Sequence, residues 1–154
     1  MKLAKLFLPV AILVALPIAY LLTLGQQPFD FPSKVAFEGP KGKVTVIRVV
    51  VADSPVKQAR GLMGVESLPR DAGMLFPFAS EANRSFWMAN TKLPLDIIFI
   101  GAGRRVSSVL TAQPCRVSDL SACELYSGNA KWVLEVNAGF AKTHGIKEGS
   151  TATV

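Results

Sequence analysis

The chain has 154 residues, half of them hydrophobic, and a formal charge of +6. Setting Lys2 and Lys5 aside leaves +4, scattered along the chain with Arg104-Arg105 as the one basic pair. A nucleic-acid binder carries a basic stripe interleaved with aromatics, so that class is excluded and the charge reads as a solvated surface.

Lys2 and Lys5 precede an uncharged apolar run from Leu6 to Leu24, interrupted only by Pro9 and Pro17. A positive start followed by such a run is a membrane-entering segment, and its length is close to the roughly 20 residues a spanning helix needs. The lysines favour a cytoplasmic N-terminus with the remainder on the far side. Thr23-Leu24-Gly25 offers only a poor cleavage site. Residues 1–25 are therefore read as a signal-anchor, in preference to the alternative of a cleaved signal peptide. The protein is expected to be exported, either anchored and facing the periplasm or extracellular side, or periplasmic if cleaved.

Residues 26–42 hold Pro28, Pro32 and Pro40 with little periodicity, and read as a linker. About 130 residues remain beyond the apolar segment, enough for one domain with a real core; it is expected over 43–154. The β-branched run "VTVIRVVVA" predicts a strand with Arg48 turned away from the packed face. Asp53 or Ser54 follows as N-cap with Pro55 at the first helical position, and Gly61 ends a short helix. "GMLFPF" predicts a strand that Pro77 restricts to a sheet edge or end. Phe86–Met88 and Leu95–Ile100 predict two more, and Gly101-Ala102-Gly103 a hairpin turn into "RRVSSVLTAQ". "KWVLEVN" is a strand, Asn137 the N-cap of a second helix closed by Gly145, and "STATV" a last strand. The fold class is α+β and mainly antiparallel, a compact, partly closed, barrel-like sheet with two short helices.

Cys115 and Cys123 are the two cysteines of a chain assigned to an oxidising compartment. Their spacing is wrong for a C-x-x-C redox pair and they lack histidines for zinc, so a structural disulfide is expected. Met63, Met74 and Met88 form no methionine-rich copper motif and read as core fillers. His144 suits a helix C-terminus. No Gly-x-Ser-x-Gly and no phosphate-cradling glycine loop occurs. No cofactor and no metal is expected.

Four stretches, "RGLMG" at 60–64, "LPRDAGMLFPF" at 68–78, "FWMANTKLPLDIIFI" at 86–100 and "VLEVNAG" at 133–139, resemble the domain of unknown function 192 (DUF192) family. The resemblance covers roughly Val49 to Val154. It implies a compact, mainly β domain, often behind an export signal, and no established reaction. Two departures stand out. The family usually has an aromatic residue and an arginine where this chain has Gly64 and Val65, and Gly-Asp where it has Gly149-Ser150.

Candidate site residues come from polar groups in apolar strands. Alternation puts Asp96 on one face with Ile98 and Ile100, where an ionised carboxylate is costly without a partner. That partner is expected in the Asn90–Leu93 turn or in Arg60; the sharper reading is an acid at the mouth of a pocket. Glu135 shares a strand face with Lys131 and Val133, and a paired-carboxylate site with Asp96 would suit glycosidase-like hydrolysis. Trp87 diverges from Phe86 and Met88, and an exposed tryptophan beside Asn90 suits a sugar or small polar ligand. The leading expectation is an exported, membrane-tethered domain binding a small polar or envelope-derived ligand through Arg60, Trp87, Asn90 and Asp96. The alternatives are a hydrolase using Asp96 and Glu135, and a structural or partner-binding envelope module.

Overall fold

The computed structural model describes residues 30–39, 42–117 and 119–154. The expected membrane-entering segment lies outside them. Among these described residues seven strands form one sheet: β1 (Ser33–Glu38), β2 (Val44–Val51), β3 (Ala72–Trp87), β4 (Leu95–Ile100), β5 (Val106–Ala112), β6 (Leu125–Asn137) and β7 (Thr151–Thr153). Two short helices, α1 (Pro55–Arg60) and α2 (Phe140–His144), interrupt them. The spatial order is β5-β4-β6-β3-β2-β1-β7. Every neighbouring pair is antiparallel except β2 and β3. The sheet curls until its edges meet, where Arg105 bridges Thr151 and Ala152 N–H donates to the Arg104 carbonyl at 2.8 Å. The chain is thus α+β with a barrel-like sheet.

Each strand follows its side chains. In β2 the inward residues Thr45, Ile47 and Val49 are buried, while Val44, Val46 and Arg48 face out. Arg48 is held by Asp71 at 2.8 Å across the surface. All six residues of β4 are buried, because both of its faces are covered. Ile98 and Ile100 join Leu134, Val136, Val35 and Phe37 in the core inside the curl. Ile97 and Phe99 join Val133, Met74, Phe76 and Leu62 in a second apolar layer on the other face.

That second layer exists because of the one parallel pair. Parallel strands need a crossover, and the segment from Ala52 to Asp71 supplies it. It carries α1 and the Gly61–Val65 turns, with Leu62 and Leu68 buried against the sheet. Ser54 caps α1, its Oγ accepting from Lys57 N–H at 3.3 Å, and Pro55 opens the helix.

Three expectations are corrected. The folded part starts earlier than Lys43: Ser33–Glu38, taken for linker, is an interior strand between β2 and β7 that buries Val35 and Phe37. Proline spacing masked its short alternation. Phe86–Met88 is not a separate strand, because β3 runs through Pro77 to Trp87 with an irregularity between Pro77 and Ala82. Pro77 is tolerated because the β2 ladder ends at Leu75, leaving no strand there for its missing N–H to serve. Asn137 does not cap α2; Gly139 holds that position, and the Asn137 amide donates instead to the carbonyls of Leu68 and Pro69 at 3.0 and 3.1 Å.

Candidate functional site

The central strand β6 turns Glu135 toward the crossover rather than toward the inside of the curl. Its neighbours across the sheet are Met74 on β3 and Ile97 on β4, both in the second apolar layer. The turn after α1 then lies over it. Gly61, with φ +49°, would bring a Cβ to 3.5 Å from the Phe76 ring and 3.9 Å from Glu135 Oε2. A glycine at this position relieves the strain of positive φ and lets the backbone lie close to the acid.

Glu135 is 5% exposed, and its Oε2 has no hydrogen-bond partner. Burial alone pushes its carboxyl up to about 8. Glu135 therefore carries its proton at neutral pH, because an ionised carboxylate here would stand unpaired in an apolar layer. Around it is a cavity of about 30 Å³, walled by Gly61, Leu62, Met63, Phe76, Phe86 and Trp87 and reached also by Arg60 and Thr91. The volume suits one or two water-sized groups.

The rim is stitched by backbone. Asn90 adopts φ +56°, and its carbonyl accepts from Gly64 N–H at 3.0 Å, tying the Asn90-Thr91 turn to the turn after α1. Asn90 is exposed and serves here through its main chain; asparagine tolerates this conformation better than most residues. Trp87 is 43% exposed and faces Leu125 across the sheet, so its indole is half wall and half surface. Arg60 is exposed at the end of α1.

Asp96 is elsewhere. It is 1% exposed, with both oxygens engaged: Oδ2 accepts from Ala141 N–H at 2.9 Å and Oδ1 from Thr111 Oγ at 2.8 Å. The acid thus caps the first turn of α2 from a distant strand, satisfying a helix donor that Gly139 has no side chain to reach. The expected partners, the Asn90–Leu93 turn and Arg60, do not hold it. Register explains why: Asp96 stands opposite Val136, and Ile97 opposite Glu135. Directly opposed residues share a face and successive ones alternate, so Asp96 and Glu135 point to opposite sides of the sheet. The glycosidase-like carboxylate pair is not formed. Of the expected site residues, Arg60, Trp87 and Glu135 come together, Asn90 supports their rim, and Asp96 belongs to the fold. Gly61 and Thr91 were missed, although glycine at 61 within "RGLMG" was the available signal.

Met74 and Met88 pack in the second layer, as core fillers do, and Met63 lines the cavity. Cys115 and Cys123 stand at disulfide distance, with sulfurs 2.13 Å apart, as their number and spacing suggested. A larger hollow of about 250 Å³ lies beside them, floored by Met88 and Tyr126. At its wall the Tyr126 hydroxyl donates to Glu124 at 2.9 Å and accepts from Gln113 N–H at 3.4 Å.

The DUF192 family, described as an uncharacterized ACR, matches residues 36–154. A UPF0127 protein of Thermococcus kodakarensis is 30% identical over 111 residues, which are 71% of this chain and 66% of that protein. This chain thus spans just under two thirds of that curated relative. A solved protein of unknown function from Novosphingobium aromaticivorans is 35% identical, with a TM-score of 0.69, covering 79% of this chain and 84% of that one. A solved Sinorhizobium meliloti protein, provisionally assigned as a transcription regulator, is 28% identical with a TM-score of 0.70, covering 78% and 91%. With the family matching most of its length, including all four characteristic stretches, the chain belongs to DUF192.

Proposed function

We propose that this protein is an exported, membrane-tethered domain that binds a small polar ligand in the cavity over Glu135. One observation carries the reading. A buried carboxyl oxygen without a partner faces a hollow bounded by the turn after α1 and by Trp87. Buried polar atoms are nearly always satisfied, and a ligand donor entering from the rim would satisfy this one. The cavity admits a head group rather than a whole sugar ring, so the remainder of the ligand lies along Trp87 and Arg60. Tethering rests on Lys2, Lys5 and the Leu6–Leu24 run. The cysteine pair fits an oxidising compartment.

A thermal-shift screen of the full-length chain in mild nonionic detergent tests the binding claim. It would cover sugars, peptidoglycan fragments and small amines, with Glu135→Gln and Trp87→Ala run in parallel. Hits lost in both variants are expected; hits indifferent to both would move the ligand elsewhere and overturn the assignment. Carbonate extraction of expressing cells tests the tether, and release of the intact chain would overturn it.

The partner-binding alternative has its own observation, the exposed pair Trp87 and Leu125, 43% and 62% accessible and opposite each other. Leu125→Ser would weaken a protein partner and leave a head-group ligand untouched.

A further inference from the structure

The geometry points to a specific head group: the cavity over Glu135 takes the ammonium of a small amine, an assignment that rests on the ligand-binding reading above. Two features converge. The unpartnered Oε2 lies in an apolar layer, and once Glu135 gives up its proton both carboxylate oxygens can only accept, so the group that takes the proton's place must donate. Three aromatic side chains, Phe76, Phe86 and Trp87, line the same hollow beside Leu62 and Met63. Phe76 and Phe86 meet edge to face, centroids 5.0 Å apart and planes at 84°. Ring faces carry negative potential and attract a cation. An acid set among aromatic walls favours an ammonium over a hydroxyl, which gains little from the rings. It disfavours an anion, which the ring faces repel. The volume of about 30 Å³ accommodates a compact head and no more.

Arg60 is the other charged residue lining the cavity, and it is exposed. Its guanidinium opposes a bare cation weakly, since water screens it, and it offers a partner to an acidic group trailing from the amine. A zwitterion with its amine inward and its carboxylate at Arg60 therefore outranks a simple amine. Binding is coupled to a proton. Glu135 holds one at neutral pH; when the already protonated amine enters, that proton leaves to solvent and the carboxylate becomes the counter-ion.

The test uses the full-length chain in nonionic detergent with four probes: methylammonium, glycine, ethanediol and acetate. Affinity is read from NMR titration of the tryptophan indole resonances, and proton release by pH-stat. Methylammonium and glycine should bind, glycine more tightly, each releasing close to one proton at neutral pH. Glu135→Gln should weaken both by roughly tenfold or more, and Trp87→Leu by roughly fivefold. Should Glu135→Gln fail to fold, the proton count and Trp87→Leu still decide. Ethanediol bound with no proton released, and lost in Glu135→Gln, would overturn the ammonium assignment while leaving the ligand reading in place. If no probe binds in a Glu135-dependent way, both fall.

Discussion

Glu135 and Asp96 are both buried acids on central strands, and they differ in what their oxygens meet. Asp96 has two donors, from Thr111 and Ala141; Glu135 Oε2 has none. The difference makes different predictions for replacing each acid by its amide. Glu135 has a folded-state pKa of about 8 against an ordinary 4.5, so the folded chain holds this proton more tightly. The stability linked to it is complete below 4.5 and is lost as pH rises through about 8. Denaturation of the wild type should therefore become easier between about pH 5 and about pH 9, by on the order of 2–4 kcal/mol, and Glu135→Gln should remove this slope. Parallel curves for the two proteins would show that the acid is not held neutral. Asp96→Asn keeps the shape and one acceptor but loses the charge at the start of α2. It should cost about 1–2 kcal/mol by denaturant titration while leaving any ligand of the Glu135 cavity bound as before. Loss of binding at unchanged stability would instead return Asp96 to the site.

At the scale of elements, the crossover between β2 and β3 makes the site. It lies over β6, and β3 and β6 beneath it leave little space between them. Gly73 shows how little there is, since a Cβ there would stand 2.5 Å from the Glu135 carbonyl and 2.9 Å from Val136 Cγ1. These atoms belong to a central strand and cannot swing aside. Gly73→Ala should cost about 2–3 kcal/mol by overpacking and shift β6 beneath the cavity, so ligand affinity should fall with the melting temperature. An alanine variant as stable as the wild type would show that β3 and β6 yield more than their spacing implies. The ion pairs on the crossover behave differently. Arg48–Asp71, Lys57–Asp53 and Lys92–Glu66 are all exposed, and such pairs contribute little singly.

For the whole molecule, closure depends on β1. It joins β2 to β7, and β7 reaches back to the segment before β5. A chain beginning at Lys43 lacks this strand, opens the β2 and β7 edges and uncovers the core where Val35 and Phe37 sit. It should be unfolded or aggregated by circular dichroism and protease sensitivity, whereas one beginning at Asp30 should fold. Cooperative unfolding of the shorter chain would mean that the sheet stands without its connecting strand. The Glu135 cavity lies in the second layer, away from β1, so it inherits its rigidity from the closed sheet rather than from contact with that strand.

Short-range chemistry was legible in the residues themselves. Ser54-Pro55 starts a helix, Gly145 closes one, and "VTVIRVVV" and "LDIIFI" are strands, because caps and alternation act over a few residues. Alternation also assigned Glu135 and Asp96 correctly to their strand faces. It could not say what covers each face. That depended on a parallel pairing whose crossover brings residues 60–65 over position 135, and on a helix brought to Asp96 from 45 residues away. Two like acids therefore received opposite surroundings, a pair of donors for one and an apolar hollow for the other. Sequence specifies which side of a strand a residue occupies; only tertiary packing decides whether water, a donor or nothing stands on that side.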